Sequence, residues 1–327
     1  MSKGCPSSAR VWEGQGFDRL SPNGVCVTEP LNSDLDRALG FAIPQRHARG
    51  RIARLGPALD AVLSAHRYPP AIEELLAEAL VVAALLGSTL KDAAGQLTLQ
   101  AQTKGGVVRL LVCDYRGGEV RGYVDYDADA LAALPERPSL FALFGAGYLA
   151  ITFDLASTGE RYQGIVPLDG DTLAQAAQSY FVQSEQIPSL VRIGHAKRDG
   201  RWIAGGLFLQ HLPEGEEGRE RLHTRLDHPE WEHVAALGGT MGADELADPA
   251  VPLETLVWRL FNEEEEVRLL AATPLSRGCR CSPEHIAGVL AKFSPAEQRE
   301  MADGDGLIRV DCAFCATSFP MPVTEVA

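Results

Sequence analysis

The chain has 327 residues, 46% of them apolar and 7% aromatic, which suits a globular protein of one full domain plus a smaller module. Its formal charge is −14, which disfavours nonspecific contact with phosphate backbones, and no apolar run approaches the roughly 18 residues of a membrane span. The N-terminus has no long apolar stretch, so the sequence predicts a reducing cytoplasm, where the seven cysteines rest as thiols or metal-bound thiolates rather than as a disulfide framework.

Residues 1–32 are rich in Ser, Pro and Gly, show no period, and read as a flexible extension. Residues 33–213 read as a core domain. Its first part, to about residue 65, has a helix-like spacing in Leu59, Val62 and Leu63 but leaves strand and helix open. Pro69 and Pro70 punctuate the chain. Residues 71–90 then form a long helix whose apolar positions cover most of its circumference, so it is predicted to be buried between other elements. Residues 96–102 alternate as a strand. Residues 107–115 place Val108, Leu110 and Val112 on one face, and Gly117-Gly118 turns the chain into a return strand at 120–124. A second set follows: 148–153, a Thr158-Gly159 turn, and 162–166. Residues 173–183 look helical, and strands at 191–193 and 205–209 close the domain. Strands and helices are segregated rather than alternating, which predicts an α+β fold with antiparallel sheet. Gly145-Ala146-Gly147 lacks the rest of a dinucleotide fingerprint. Gly205-Gly206 reads as a strand edge or bulge. No catalytic motif emerges, so the chain is read as a non-enzyme.

Residues 214–275 concentrate the charge. From Glu214 to Arg268 there are fifteen acidic residues, five arginines and no lysine, a net of −10. The segment opens with a glycine- and glutamate-rich connector at 213–218. Helical periodicity returns at 231–237 and 253–260, and the adjacent Glu263–Glu266 repel one another. The expectation is a helical linker of marginal stability.

Residues 276–327 hold the strongest signal. Cys279-Arg-Cys281 is followed, thirty residues later, by Cys312-Ala-Phe-Cys315. Two such short bites make a tetrahedral S4 cage suited to one Zn²⁺ per chain. The spacer is predicted to hold helices at 283–292 and 295–302, a Gly304-Asp305-Gly306 turn and a strand at 307–311. A module of about fifty residues buries little apolar surface, so metal binding would supply the missing stability. Sulfur geometry alone leaves two readings open, a structural zinc ribbon and a redox switch in which oxidation removes the ligands. The Cys312–Cys315 pair can close as other CxxC motifs do; a Cys279–Cys281 bridge needs a bent backbone. His285 is weighed as a fifth ligand and set aside, because four thiolates suffice. Cys5, Cys26 and Cys113 read as incidental thiols.

Four segments extend the pattern: Gly159-Glu160-Arg161-Tyr162-Gln163-Gly164-Ile165-Val166, Tyr180-Phe181-Val182-Gln183-Ser184-Glu185-Gln186, Gly205-Gly206-Leu207-Phe208-Leu209-Gln210, and Leu256-Val257-Trp258-Arg259-Leu260-Phe261 with the glutamates after it. Together with the cysteines they resemble the heat-shock protein 33 (33 kDa chaperonin) family, over about residues 33–316. The resemblance implies a redox-regulated holdase, zinc-bound and inactive when reduced. It implies Cys279–Cys281 and Cys312–Cys315 disulfides on oxidation, release of zinc, unfolding of module and linker, dimerisation, and ATP-independent holding of unfolding client proteins. It implies neither a nucleic-acid nor a membrane partner. Trp231, Leu237, Leu253, Leu256, Trp258 and Leu260 are the candidate client-gripping side chains, with ordinary intramolecular packing in the reduced state as the equal alternative; both can hold in turn. Two departures from the family stand out: Ala316 replaces the usual Gly after the last cysteine, and residues 269–278 lack the usual charged-aromatic character. The competing readings are a zinc-ribbon nucleic-acid module, disfavoured by the acidic charge, and a CxxC thiol–disulfide oxidoreductase, which leaves Cys279 and Cys281 unexplained.

Overall fold

A computed structural model describes residues 35–212 and 228–323, together with the backbone of residues 11–13. The connector at 213–218 and the rest of the N-terminal extension lie outside the described residues. In chain order the elements are β1 (Val11–Glu13), β2 (Arg37–Ile43), β3 (Ala48–Leu55), α1 (Pro57–Leu63), α2 (Pro70–Gly87), β4 (Gln96–Gln102), β5 (Val108–Arg116) and β6 (Glu119–Tyr126). Next come α3 (Ala128–Ala132), α4 (Leu140–Phe144), β7 (Tyr148–Leu155), β8 (Glu160–Pro167), α5 (Leu173–Tyr180), β9 (Ser189–Arg198) and β10 (Arg201–His211). The remainder is α6 (Pro229–Gly239), α7 (Ala243–Leu246), α8 (Leu253–Phe261), β11 (Glu266–Leu269), β12 (Thr273–Pro274), β13 (Ser276–Arg277), α9 (Pro283–Leu290), α10 (Pro295–Met301), β14 (Leu307–Asp311) and β15 (Ser318–Pro322). The fold is α+β.

Helix α2 organises the core. It starts at Pro70, whose missing N–H costs nothing in a first turn. From Ala79 to Gly87 it carries no polar side chain, and Leu76, Leu80, Val81, Val82, Leu85 and Leu86 are all buried. A helix apolar all round needs cover on all sides. One sheet, in the order β1-β11-β2-β3-β10-β9 with β12 also on β2, lies on one side of α2, and a second, β13-β6-β5-β4-β7-β8, lies on the other. Strand β4 alternates buried and half-buried residues, as expected of a strand with one face on a core.

The stretch whose type the sequence left open becomes a β2–β3 hairpin followed by α1. Gly40 and Gly50 weaken any helix there, and Pro57 at the first helical position starts α1. Strand β5 departs from simple alternation. Its register against β6 shifts between Val108 and Leu110. Val108 therefore faces the core together with Leu111, Cys113 and Tyr115, while Leu110 and Val112 face outward. One extra residue flips the side chains that follow it, so the expected single face of Val108, Leu110 and Val112 does not form.

Gly205 and Gly206 are neither edge nor bulge. They lie within β10, paired on both sides by β3 and β9. A Cβ on Gly205 would stand 2.2 Å from the Leu246 carbonyl oxygen, and one on its cross-strand partner Gly194 1.9 Å from that of Ala243. The two glycines let the backbone of α7 rest directly on the sheet. Helices α6–α8 cover this face, where Leu39, Phe41, Ile52, Leu207 and Leu209 meet Trp231, Val234, Leu246, Leu253, Leu256 and Phe261 in a second core.

Candidate metal centre

Cys279 and Cys281 lie between β13 and α9. Cys312 follows β14 and Cys315 precedes β15, and the antiparallel β14–β15 pair folds residues 312–317 into a tight turn. In that turn the Ala316 amide donates to the Cys312 carbonyl at 2.8 Å, and the Cys312 amide donates to the Thr317 carbonyl at 3.0 Å. Ala316 takes a left-handed conformation, φ +54°. Ser282 caps α9 by accepting from the His285 amide.

The four sulfurs converge. Cys279 Sγ stands 3.2 Å from Cys281 Sγ and 3.6 Å from Cys312 Sγ, and Cys281 Sγ stands 3.4 Å from Cys315 Sγ. All four lie within 4.8 Å of one another. Four sulfurs on a tetrahedral ion at the usual bond length of about 2.3 Å are about 3.8 Å apart, so the donor set fits one soft tetrahedral ion. His285 is exposed and its ring is outside the cluster.

The sulfurs are electrostatically unequal. Burial pushes the Cys281 thiol up, helped by its hydrogen bonds with Cys279, Cys315 and Cys312. Burial likewise raises Cys312. At Cys315 burial raises the thiol but is outweighed by hydrogen bonding with the Thr317 side chain and backbone and with Cys281 and Cys279, which brings it down to about 6. Cys113, by contrast, is fully enclosed in the core, and burial pushes its thiol well up; Cys5 and Cys26 lie outside the described residues.

The module around the sulfurs has a small core. Ile286, Leu290 and Ile308 are its buried apolar residues among those described. Each contributes about 1.5–3 kcal/mol, too little to hold a segment of this length against chain entropy. Gln298 adds buried hydrogen bonds from its amide to the Leu290 and Phe293 carbonyls at 3.0 and 3.2 Å.

The acidic segment is seated on the core by charge as well as by apolar contact. Arg37 grips Glu254 with two bonds, at 2.8 and 2.6 Å. Arg46 bridges Glu264 at 2.8 Å and Glu230 at 2.5 Å. Of the six side chains proposed to grip clients, Trp231, Leu253 and Leu256 are buried; Leu237, Trp258 and Leu260 are half-buried. All six are therefore largely covered in this conformation. Sequence reading missed the two arginines, because only their pairing partners, far along the chain, single them out.

An α+β core bearing an acidic helical segment and a four-thiol centre of metal-binding geometry defines a protein built around cysteine chemistry. Comparison with known proteins gives its family. The family model described as "Hsp33 protein" matches residues 36–321. The chain is 42% identical over 294 residues to the 33 kDa chaperonin of Caulobacter vibrioides, covering 88% of this chain and 94% of that one. It is 34% identical over 279 residues to the 33 kDa chaperonin of Vibrio cholerae, covering 85% and 90%. The chain belongs to the Hsp33 family, and this membership supports a chaperone role. A crystal structure of the 33 kDa chaperonin of Thermotoga maritima shares the fold, with a TM-score of 0.71 at 23% identity over 88% of this chain and 95% of that one. Among the described residues, no helix is long and apolar enough to cross a membrane.

Proposed function

We propose that this protein is a redox-regulated, ATP-independent holdase that binds unfolding proteins under oxidative stress in the cytoplasm. The observation that carries the reading is the convergence of Cys279, Cys281, Cys312 and Cys315 in a module with three buried apolar side chains, chain-adjacent to an acidic helical segment. On this reading, residues 33–213 are the chaperone core, 214–275 the linker and 276–327 the switch; residues 1–32 are an extension. The four cysteines are the ligands of one zinc ion per chain in the reduced state. Bound zinc would hold all four sulfurs as thiolates and join the two bites.

The switch follows from the cysteines' own chemistry. A thiolate attacks one peroxide oxygen and breaks the O–O bond, giving a sulfenic acid and hydroxide; its neighbour's thiolate then attacks the sulfenic sulfur, the S–O bond breaks, and the leaving hydroxide takes up a proton as water, which leaves the disulfide. Each pair gives up two electrons, which reduce one peroxide to two waters. The pairs are Cys279–Cys281, whose sulfurs stand 3.2 Å apart, and Cys312–Cys315. Disulfides are poor metal ligands, so both bites open and the module loses its main support. The linker helices then leave the sheet, uncovering the apolar side chains of the second core, and the oxidised chain dimerises.

The test is peroxide treatment of the reduced, zinc-loaded protein under mild heating. Zinc should be released and aggregation of a denatured client suppressed, without nucleotide. Retention of zinc with no suppression of aggregation would overturn the proposal.

A further inference from the structure

Each chelating bite carries a side chain that is not a ligand but reaches the core. Arg280, the one residue between Cys279 and Cys281, donates through its guanidinium to the Gln96 side-chain carbonyl on β4. Phe314, directly before Cys315, lies under the Arg121 guanidinium at 3.9 Å from its ring centroid. The Tyr123 ring meets it edge-on, with centroids 5.0 Å apart and planes at 85°. Both partners of Phe314 stand on the outer face of β6. Arg121 is itself fixed by Asp114, at 2.8 and 2.6 Å, and the Thr98 hydroxyl donates to the same carboxylate at 2.7 Å. The main chain joins in: β13 runs parallel to β6, and the Gly278 amide donates to the Val120 carbonyl at 3.0 Å. A cation this close to an aromatic face is attracted by the ring quadrupole, the more so where water is partly excluded.

We infer that Arg280 and Phe314 form a two-point latch that docks the sulfur centre on the outer face of the six-stranded sheet, so that opening either bite undocks the module from the core. The two side chains come from different bites, which are joined to one another through the sulfurs. Their separation matches Gln96 and the Arg121–Tyr123 pair only while the sulfurs stay clustered. Loss of the cluster lets them drift independently, and each remaining contact is then a single weak one. This gives the module a route to the core that bypasses the linker, and it deepens the switch reading on which it rests by naming the residues that transmit the change.

The experiment uses the full chain, reduced and zinc-loaded, with Phe314→Leu and, separately, Arg121→Lys. The lysine keeps a charge facing Asp114 but loses the planar stack. Zinc content is measured first and should stay at one per chain. Hydrogen exchange at the Gly278 and Ser276 amides, the latter bonded to the Gly118 carbonyl, is the docking readout and needs no client. We expect at least tenfold faster exchange at both amides in each variant, with amides of α2 unchanged, and a lower peroxide threshold for zinc release. Wild-type exchange rates at Gly278 and Ser276 in both zinc-loaded variants would overturn the latch. That outcome is distinct from failure of the switch reading, which appears as oxidised wild-type protein that holds no client while the exchange results stand.

Discussion

Arg54, in β3, donates its Nε hydrogen to the backbone carbonyl of Leu246, at the end of α7, at 2.9 Å, and the guanidinium is fully enclosed. The same group reaches the carbonyls of Val251 at 2.9 Å and Glu245 at 3.3 Å. It thus collects the carbonyl-rich end of α7 and the turn into α8. A buried cation is costly without partners, so β3 and the α7–α8 segment each depend on the other at this point. Replacing Arg54 with Met should strand these carbonyls and cost on the order of 3 kcal/mol. We expect α7 and α8 to lose hydrogen-exchange protection in reduced, zinc-loaded protein, with client holding before any oxidant.

The glycine seat beside it makes a second prediction. Gly205→Ala would press a methyl into the Leu246 carbonyl at 2.2 Å, and backbone cannot swing aside as a side-chain tip can; overpacking of this kind costs about 1–3 kcal/mol. Gly288→Ala is the opposite case. Gly288 lies inside α9 with open space where the Cβ would go, so alanine should stabilise the module by up to about 1 kcal/mol. Thermal unfolding of the two variants should move in opposite directions.

Ala316 holds a left-handed backbone at the turn that carries Cys312 and Cys315. That conformation costs a non-glycine residue about 1–2 kcal/mol. Ala316→Gly should relieve most of it, with the unfolded chain's greater freedom taking some back. We expect a several-fold rise in resistance to a zinc chelator, measured as the chelator concentration that removes half the metal.

Glu78, on α2, is half-buried by surface exposure, with its carboxyl turned into the protein, and accepts a hydrogen bond from the Ala174 amide at the start of α5, at 2.9 Å. Burial raises its pKa from 4.5 to about 7, against the lowering effect of bonds from Ala174, Thr172 and Leu173. A raised folded-state pKa means that the folded chain binds the proton more tightly than the unfolded chain does. Its stabilising effect is fully present below pH 4.5 and is lost as pH rises towards 7, a change on the order of 3 kcal/mol. Glu78→Gln should flatten the stability–pH profile between pH 4.5 and 7, as read by denaturant midpoints across that range.

Much of this molecule is legible in its sequence, and the illegible parts share a cause. Helix α2 announces itself by continuous apolar composition, and β14 is found at residues 307–311 as expected. The four thiols converge as their spacing suggests. What local pattern cannot reveal is set by distant partners. Strands β12 and β13 are two residues each and exist because β2 and β6 offer them hydrogen bonds. The outward turn of Val112 follows from one irregular residue in the β5–β6 register. Gly205 reads as a local interruption, yet it serves a helix much later in the chain. Arg280 and Phe314 are within reach of inspection, since a residue inside a two-ligand bite is displayed by the centre itself.

On the proposed reading, sulfur ligation keeps the module folded, and that folding keeps the linker on the core. The most direct measurement follows zinc content and hydrogen exchange of residues 228–261 together as peroxide is added to the reduced protein. One zinc per chain should be lost and, in step with it, protection in α6, α7 and α8, while α2 stays protected. Zinc lost with those three helices as protected as before would contradict it.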